Sequence, residues 1–148
     1  MDSISSLLES PRLQLVIFRL EKHTYAIKLE SIREIITFRH ATRLPGAPLH
    51  VAGLVNVRGT IVTVVDLGQR FEGRPSASEG APVLLVDHAA KVIGLAVHEA
   101  IEARTVDADA LDPSAAEASE AAVSALTLLD GEVVLVVDID AVLSGVLL

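Results

Sequence analysis

The stretch Val51–Phe71, VAGLVNVRGTIVTVVDLGQRF, decides the fold. It reads as a strand, a tight turn at Arg58-Gly59, a second strand and a short capped helical turn. Leu54, Val55 and Val57, then Ile61, Val62, Val64 and Val65, make two short apolar runs rich in β-branched residues. Runs this short and this apolar suit strands covered on both faces. Asn56, Arg58 and Thr63 are the polar interruptions. An arginine at the lip of so apolar a hairpin is the first functional suspect. The plain alternative is an exposed turn residue.

The same hairpin recurs 72 positions further on. Leu54 meets Leu126, Gly59 meets Gly131, and Val62, Val64 and Val65 meet Val134, Val136 and Val137. Asp66 meets Asp138, so the feature after each hairpin repeats as well. A shift of 68 aligns the strands upstream: Ile27 with Leu95, Leu29 with Val97, Glu34 with Glu102. The chain reads as two copies of one small all-β unit. The copies differ at the lip. The first turns with Arg-Gly and carries Asn56; the second turns with Asp130-Gly131 and carries Leu128. Positions that build the fold repeat, whereas Asn56 and Arg58 do not, which marks them as candidates for binding.

Working outward, Leu13–Leu20 is a strand and residues 21–24 a polar turn. Thr24–Leu29 alternates, with Tyr25, Ile27 and Leu29 inward and Ala26 and Lys28 outward. A helical turn at Glu30–Arg33 leads to an extended Glu34–Phe38. Leu44-Pro45-Gly46-Ala47-Pro48 is a rigid bend, because proline fixes φ and donates no hydrogen bond. Gly68–Pro82 is a linker loop. Val83–Val86, Val92–Val97 and Ala100–Val106 are strands, with a turn over His88–Lys91. Asp107–Ala122, rich in alanine and acids, is an exposed loop. Val123–Leu129 and Glu132–Val137 form the second hairpin around Asp-Gly, which tolerates the positive φ such turns need. A short helix over Ile139–Val146 closes the chain, with Asp138 or Asp140 near its N-cap. Residues 1–12 form a flexible arm, with at most a helical turn at Ile4–Leu8. Roughly ten short strands point to a pair of small barrels.

Composition narrows the function. With 148 residues, 51% of them hydrophobic, the chain can bury a sizeable core. No apolar run approaches the roughly 18 residues of a membrane helix. The opening MDSISSLLES lacks the basic region of a signal peptide. A net charge of −8 argues against nucleic acid, whose phosphates need a basic face. Having no cysteine, the chain has no disulfide, thiolate nucleophile or zinc–cysteine site. His23, His40, His50, His88 and His98 fall at no metal-ligating spacing. No nucleophile elbow, phosphate-binding glycine loop or nucleophile–base pair is present. Asp66, Asp87 and Asp138 end apolar strands, as phosphoacceptor aspartates do. A receiver fold would need amphipathic helices between strands, and these connections are turns and Pro/Gly loops. Asp66 and Asp138 read instead as helix N-caps.

These motifs, in this order, resemble the CheW family of chemotaxis coupling proteins. Four blocks carry the resemblance. They are Tyr25-Ala26-Ile27-Lys28-Leu29 with Ile32-Arg33-Glu34-Ile35; Leu44 to Pro48; Gly53-Leu54-Val55-Asn56-Val57-Arg58-Gly59-Thr60-Ile61-Val62 running to Asp66; and Leu129-Asp130-Gly131-Glu132 to Ile139. Together they span residues 13–147. The resemblance implies an all-β fold of two five-stranded SH3-like barrels packed side by side, with short helical turns and a C-terminal helix. The barrels would occupy about 13–72 and 80–148, with exchange of strands between them left open. It implies a non-catalytic cytoplasmic adaptor without cofactor or metal, recruited to membrane-associated receptor arrays. Such an adaptor would bridge a chemoreceptor's cytoplasmic tip to the regulatory domain of a CheA-type histidine kinase. Carried over by motif, Gly53, Asn56, Arg58 and Gly59 lie at or near the functional surface, and Ile32 and Glu34 flank the receptor groove. Glu34 pairing internally with Arg58 is a second option. The alternative from another class is a phosphoacceptor regulator using Asp66 or Asp138. A third is a barrel that self-assembles through strand edges.

Overall fold

The computed structural model describes residues 11–114 and 122–144. The arm before Pro11, part of the 107–122 loop and the last residues of the C-terminal helix reading lie outside them. Ten strands form among the described residues: β1 (Arg12–Arg19), β2 (Thr24–Lys28), β3 (Ile32–Thr37), β4 (Val51–Val57), β5 (Thr60–Asp66), β6 (Pro82–His88), β7 (Lys91–Ala96), β8 (Glu99–Asp107), β9 (Val123–Leu129) and β10 (Glu132–Val137). Two short helices, α1 (Leu67–Glu72) and α2 (Ile139–Ser144), follow the two hairpins. Asp66 caps α1 by accepting the Gln69 N–H at 3.0 Å, and Asp138 accepts the Ala141 N–H at 3.3 Å. One aspartate thus ends each hairpin and starts each helix.

The strands make two five-stranded sheets, ordered β8-β1-β2-β10-β9 and β3-β6-β7-β5-β4. Each curls into an SH3-like barrel. Thr42 pairs with Leu54 to close one barrel, and Asp112 pairs with Leu126 to close the other. The internal repeat holds down to the pairing of single residues. Leu15 opposes Lys28, and 68 residues on Val83 opposes Ala96. Val55 opposes Val62, and 72 residues on Thr127 opposes Val134. Ile17 opposes Glu102 across β1 and β8, while their repeat mates Leu85 and Glu34 oppose each other across β6 and β3. Each barrel therefore takes strands from both halves of the chain. The parallel pairs β2–β10 and β5–β7 join strands of opposite halves, since parallel neighbours cannot be linked by a tight turn.

Three cores result. Val55, Val62, Val64, Val83 and Leu85 fill one barrel. Leu15, Ile17, Ala26, Val106 and Val134 fill the other. Between them, Phe18, Tyr25, Ile27, Val65, Leu84, Leu95, Val137 and Leu143 form a third layer where the barrels meet. Phe18, Tyr25 and Phe71 stack there, with ring centroids 5.6 and 5.4 Å apart. Glu72, at the end of α1, accepts from the Tyr25 hydroxyl and from the backbone N–H groups of Lys22 and His23. Burial, reinforced by Glu72, pushes the Tyr25 phenol above its ordinary range, so it stays a donor.

This central layer corrects two expectations. In β2, Ala26 is buried along with Tyr25 and Ile27, because one face of the strand fills a barrel and the other meets the central layer. In the first hairpin, burial on both faces holds only toward the end of β5. Ile61 is 64% exposed, and Leu54 and Asn56 also face outward, because no second sheet covers that end. Three smaller corrections follow from the backbone. The turn read over His88–Lys91 shrinks to Ala89-Ala90, with Asp87 inside β6 and paired to Arg33. α1 extends to Glu72, into the stretch read as linker. Leu29–Ser31 and Ala108–Ala110 are short 3-10 turns.

Candidate functional site

The lip is built by its own sequence. Arg58 and Gly59 take φ of 49° and 89°, the left-handed pair a two-residue hairpin turn requires. The Asn56 side-chain carbonyl accepts the Gly59 N–H at 2.8 Å and ties the turn across its base. The Arg58 guanidinium is thereby aimed at β3. Its two terminal nitrogens face the two carboxylate oxygens of Glu34: Nη2 pairs with Oε1, and Nη1 lies 3.4 Å from Oε2. The hydrogen bond from Arg58, with its charge, holds the Glu34 carboxyl below its ordinary range; the same bond raises Arg58 above its own. Both groups are charged at neutral pH. A pair this exposed adds little to stability. It does hold a planar five-donor fork in one place on the surface.

Beside the pair lies a cleft of about 230 Å³, with Arg33, Glu34 and Arg58 at its rim and Val57, Val62 and Leu85 among its walls. Exposed Ile61 borders the same hairpin on its outer face. A charged rim over an apolar floor suits an apolar ridge with polar flanks, such as one face of a helix. Nothing in this arrangement supplies a nucleophile with a base.

The structure sorts the residues singled out by sequence. Glu34 and Arg58 meet. Asn56 and Gly59 are exposed and build the turn. Gly53 is buried, with φ of 151°, and a Cβ there would lie 2.7 Å from the Thr42 carbonyl oxygen. Thr42 and Leu54 exchange two backbone hydrogen bonds of 2.8 Å across this contact. Gly53 thus serves barrel closure and supports the lip from behind. Ile32 is half-buried against the central layer and does not line the cleft.

Sequence reading missed a second lip. Arg104 on β8 donates to Glu102 at 3.1 Å and to Asp130 at 2.9 Å. Glu102 and Asp130 are the repeat mates of Glu34 and Arg58. Where the first half pairs acid with arginine directly, the second brings in an arginine to bridge two acids. The alignment of Glu34 with Glu102 was the available signal. Arg104 itself, matched to Ile36, left none.

The strand-end aspartates are committed elsewhere. Asp66 is buried and accepts from the backbone N–H groups of Gln69, Ser76 and Ala77 and from the Ser76 hydroxyl at 2.6 Å. Its oxygens are occupied by the fold. Asp138 is exposed and caps α2. Among the described residues no three His, Asp or Glu side chains gather where they could hold a divalent ion. The phosphoacceptor reading is not favoured.

A family model described as the CheW-like domain matches residues 14–146. The chain belongs to this CheW-like family. It is a coupling adaptor of chemotaxis signalling. Its relatives agree. The probable chemotaxis protein CheW of Rhizobium etli is 28% identical over 113 residues, which is 76% of this chain and 72% of that protein. The chemotaxis protein CheA of Listeria monocytogenes is 30% identical over 131 residues, 86% of this chain but only 20% of that longer protein. The fold of the scaffolding protein TtCheW from Thermoanaerobacter tengcongensis matches with a TM-score of 0.77 at 22% identity, covering 88% of this chain and 91% of that one. No helix among the described residues is long and apolar enough to cross a membrane.

Proposed function

We propose that this CheW-like chain works in the cytoplasm without chemistry of its own, seating a chemoreceptor's helical tip and a CheA-type kinase on one rigid scaffold. The observation that carries this reading is the Arg58–Glu34 lip beside an apolar-walled cleft. A receptor tip is a helical hairpin, and such a helix is read by apolar ridges laid in a groove with charged groups fixing its register. The fork of Arg58 bonds a carboxylate or the free carbonyls at a helix end. The kinase side is supported by the match to one fifth of a CheA protein, a domain of this same family within the kinase chain. Two proteins sharing one barrel architecture present edges and hairpins of similar shape to each other.

The test is a pull-down of the purified chain with the regulatory domain of a CheA-type kinase, and separately with a receptor-tip fragment. Retention of both by the wild type is the expected result. Failure to retain the kinase domain overturns the reading. Labelling with acetyl phosphate and Mg²⁺ should leave the chain unmodified; stable uptake on Asp138 would revive the phosphoacceptor alternative.

A further inference from the structure

The far end of the second barrel carries an apolar patch with no cover among the described residues. Leu128 and Val133 face each other across the β9–β10 hairpin, 68% and 53% exposed. With Ala110, Asp112 and Leu126 they line a shallow groove of about 410 Å³. The repeat mates on the first hairpin are Asn56 and Ile61, so this end is the more apolar of the two. Large apolar side chains paired in the open are normally covered by something.

The path of the chain names the cover. β1 pairs with β8 in antiparallel register out to Arg12 opposite Asp107. The pairing continues one step, as the Ala108 N–H donates to the Pro11 carbonyl at 2.7 Å. Carried further, the same register sets Leu8 and Leu7 level with Leu111 and Asp112. Asp112 exchanges backbone hydrogen bonds of 2.7 and 2.9 Å with Leu126, a wall of the groove. The residues ahead of Pro11 therefore approach along that wall. They bring Ile4, Leu7 and Leu8, the apolar members of an otherwise polar segment.

We propose that residues 4–8 of the same chain seat Leu7 and Leu8 over the Leu128–Val133 pair. The segment then acts as an intramolecular cover, and any protein that docks at this end must first displace it. This inference stands apart from the receptor and kinase reading and involves the opposite hairpin.

The chain has no cysteine, so one engineered thiol places one label. A nitroxide on Ser5→Cys, with methyl-labelled protein at low concentration, reads the contact directly. The expected result is intensity loss at the Leu128 and Val133 methyls, sparing Ile61, and recovery of that intensity when Leu7→Ser and Leu8→Ser are added. Loss that the double serine variant leaves unchanged overturns the proposal, because it reports tethering without docking. So does loss that appears only when nitroxide-bearing and methyl-labelled molecules are mixed, which would make a second copy the occupant. An undiminished Leu128 and Val133 signal overturns it outright.

Discussion

Glu34 and Arg58 keep each other ionised, and the sign of that coupling can be checked. The Glu34 carboxyl lies below its ordinary range because Arg58 bonds its charged form. A depressed carboxylate pKa contributes stability above the unfolded value and loses it as pH falls through the folded one. The pair should thus be intact at neutral pH and open only in acid, below the usual glutamate range. Carbon-detected titration of Glu34 should place its midpoint below that of an exposed glutamate, and Arg58→Ala should return it to the ordinary value. An unchanged midpoint in the variant would mean that the pair does not persist in solution. Gly53 makes a prediction of the opposite kind, about stability. A Cβ there meets the Thr42 carbonyl oxygen and must adopt a φ that side chains rarely accept. Gly53→Ala should cost about 2–4 kcal/mol in denaturant unfolding. It should weaken partner binding only in proportion to the folded fraction lost.

The hairpins show where local sequence and fold agree and where they conflict. Arg-Gly and Asp-Gly turns have glycine at the second left-handed position, but the β6–β7 turn places Ala89 and Ala90 at φ of 49° and 64°. Replacing them with Asn-Gly should raise stability by about 1 kcal/mol in the same assay. Thr127 is a second local conflict. It occupies the barrel-interior position of Val55 in the other half, is buried, and leaves its hydroxyl oxygen without a partner. Thr127→Val should stabilise by about 1 kcal/mol, seen as a rise in Tm of about 3 °C. These elements also show what sequence could reveal. Both hairpins, both aspartate caps and the Arg58-Gly59 turn were legible because each is set by residues adjacent in sequence. The burial of Ala26 and the exposure of Ile61 were not. They depend on which strand faces receive a second layer, and that is decided by partners far away in the chain.

At the scale of the molecule, two offsets in the sequence announced a doubled fold, and the register of every matched strand pair follows them. The exchange of strands was open at that stage, because periodicity identifies a strand without naming its neighbour. The candidate site divided along the same line. The lip could be read from a turn that breaks an apolar hairpin. That Gly53 serves closure, that Ile32 packs on the central layer and that Arg104 builds a second lip all needed the assembled barrels. The central claim is that the duplicated scaffold holds Arg58 on its surface for a partner and does not need it for folding. Calorimetric titration of wild type and Arg58→Ala with a receptor-tip fragment and the kinase regulatory domain, alongside their melting temperatures, tests it most directly. The account predicts assembly weakened about tenfold by the substitution, with Tm nearly unchanged. Unaltered assembly with a Tm lower by many degrees would contradict it.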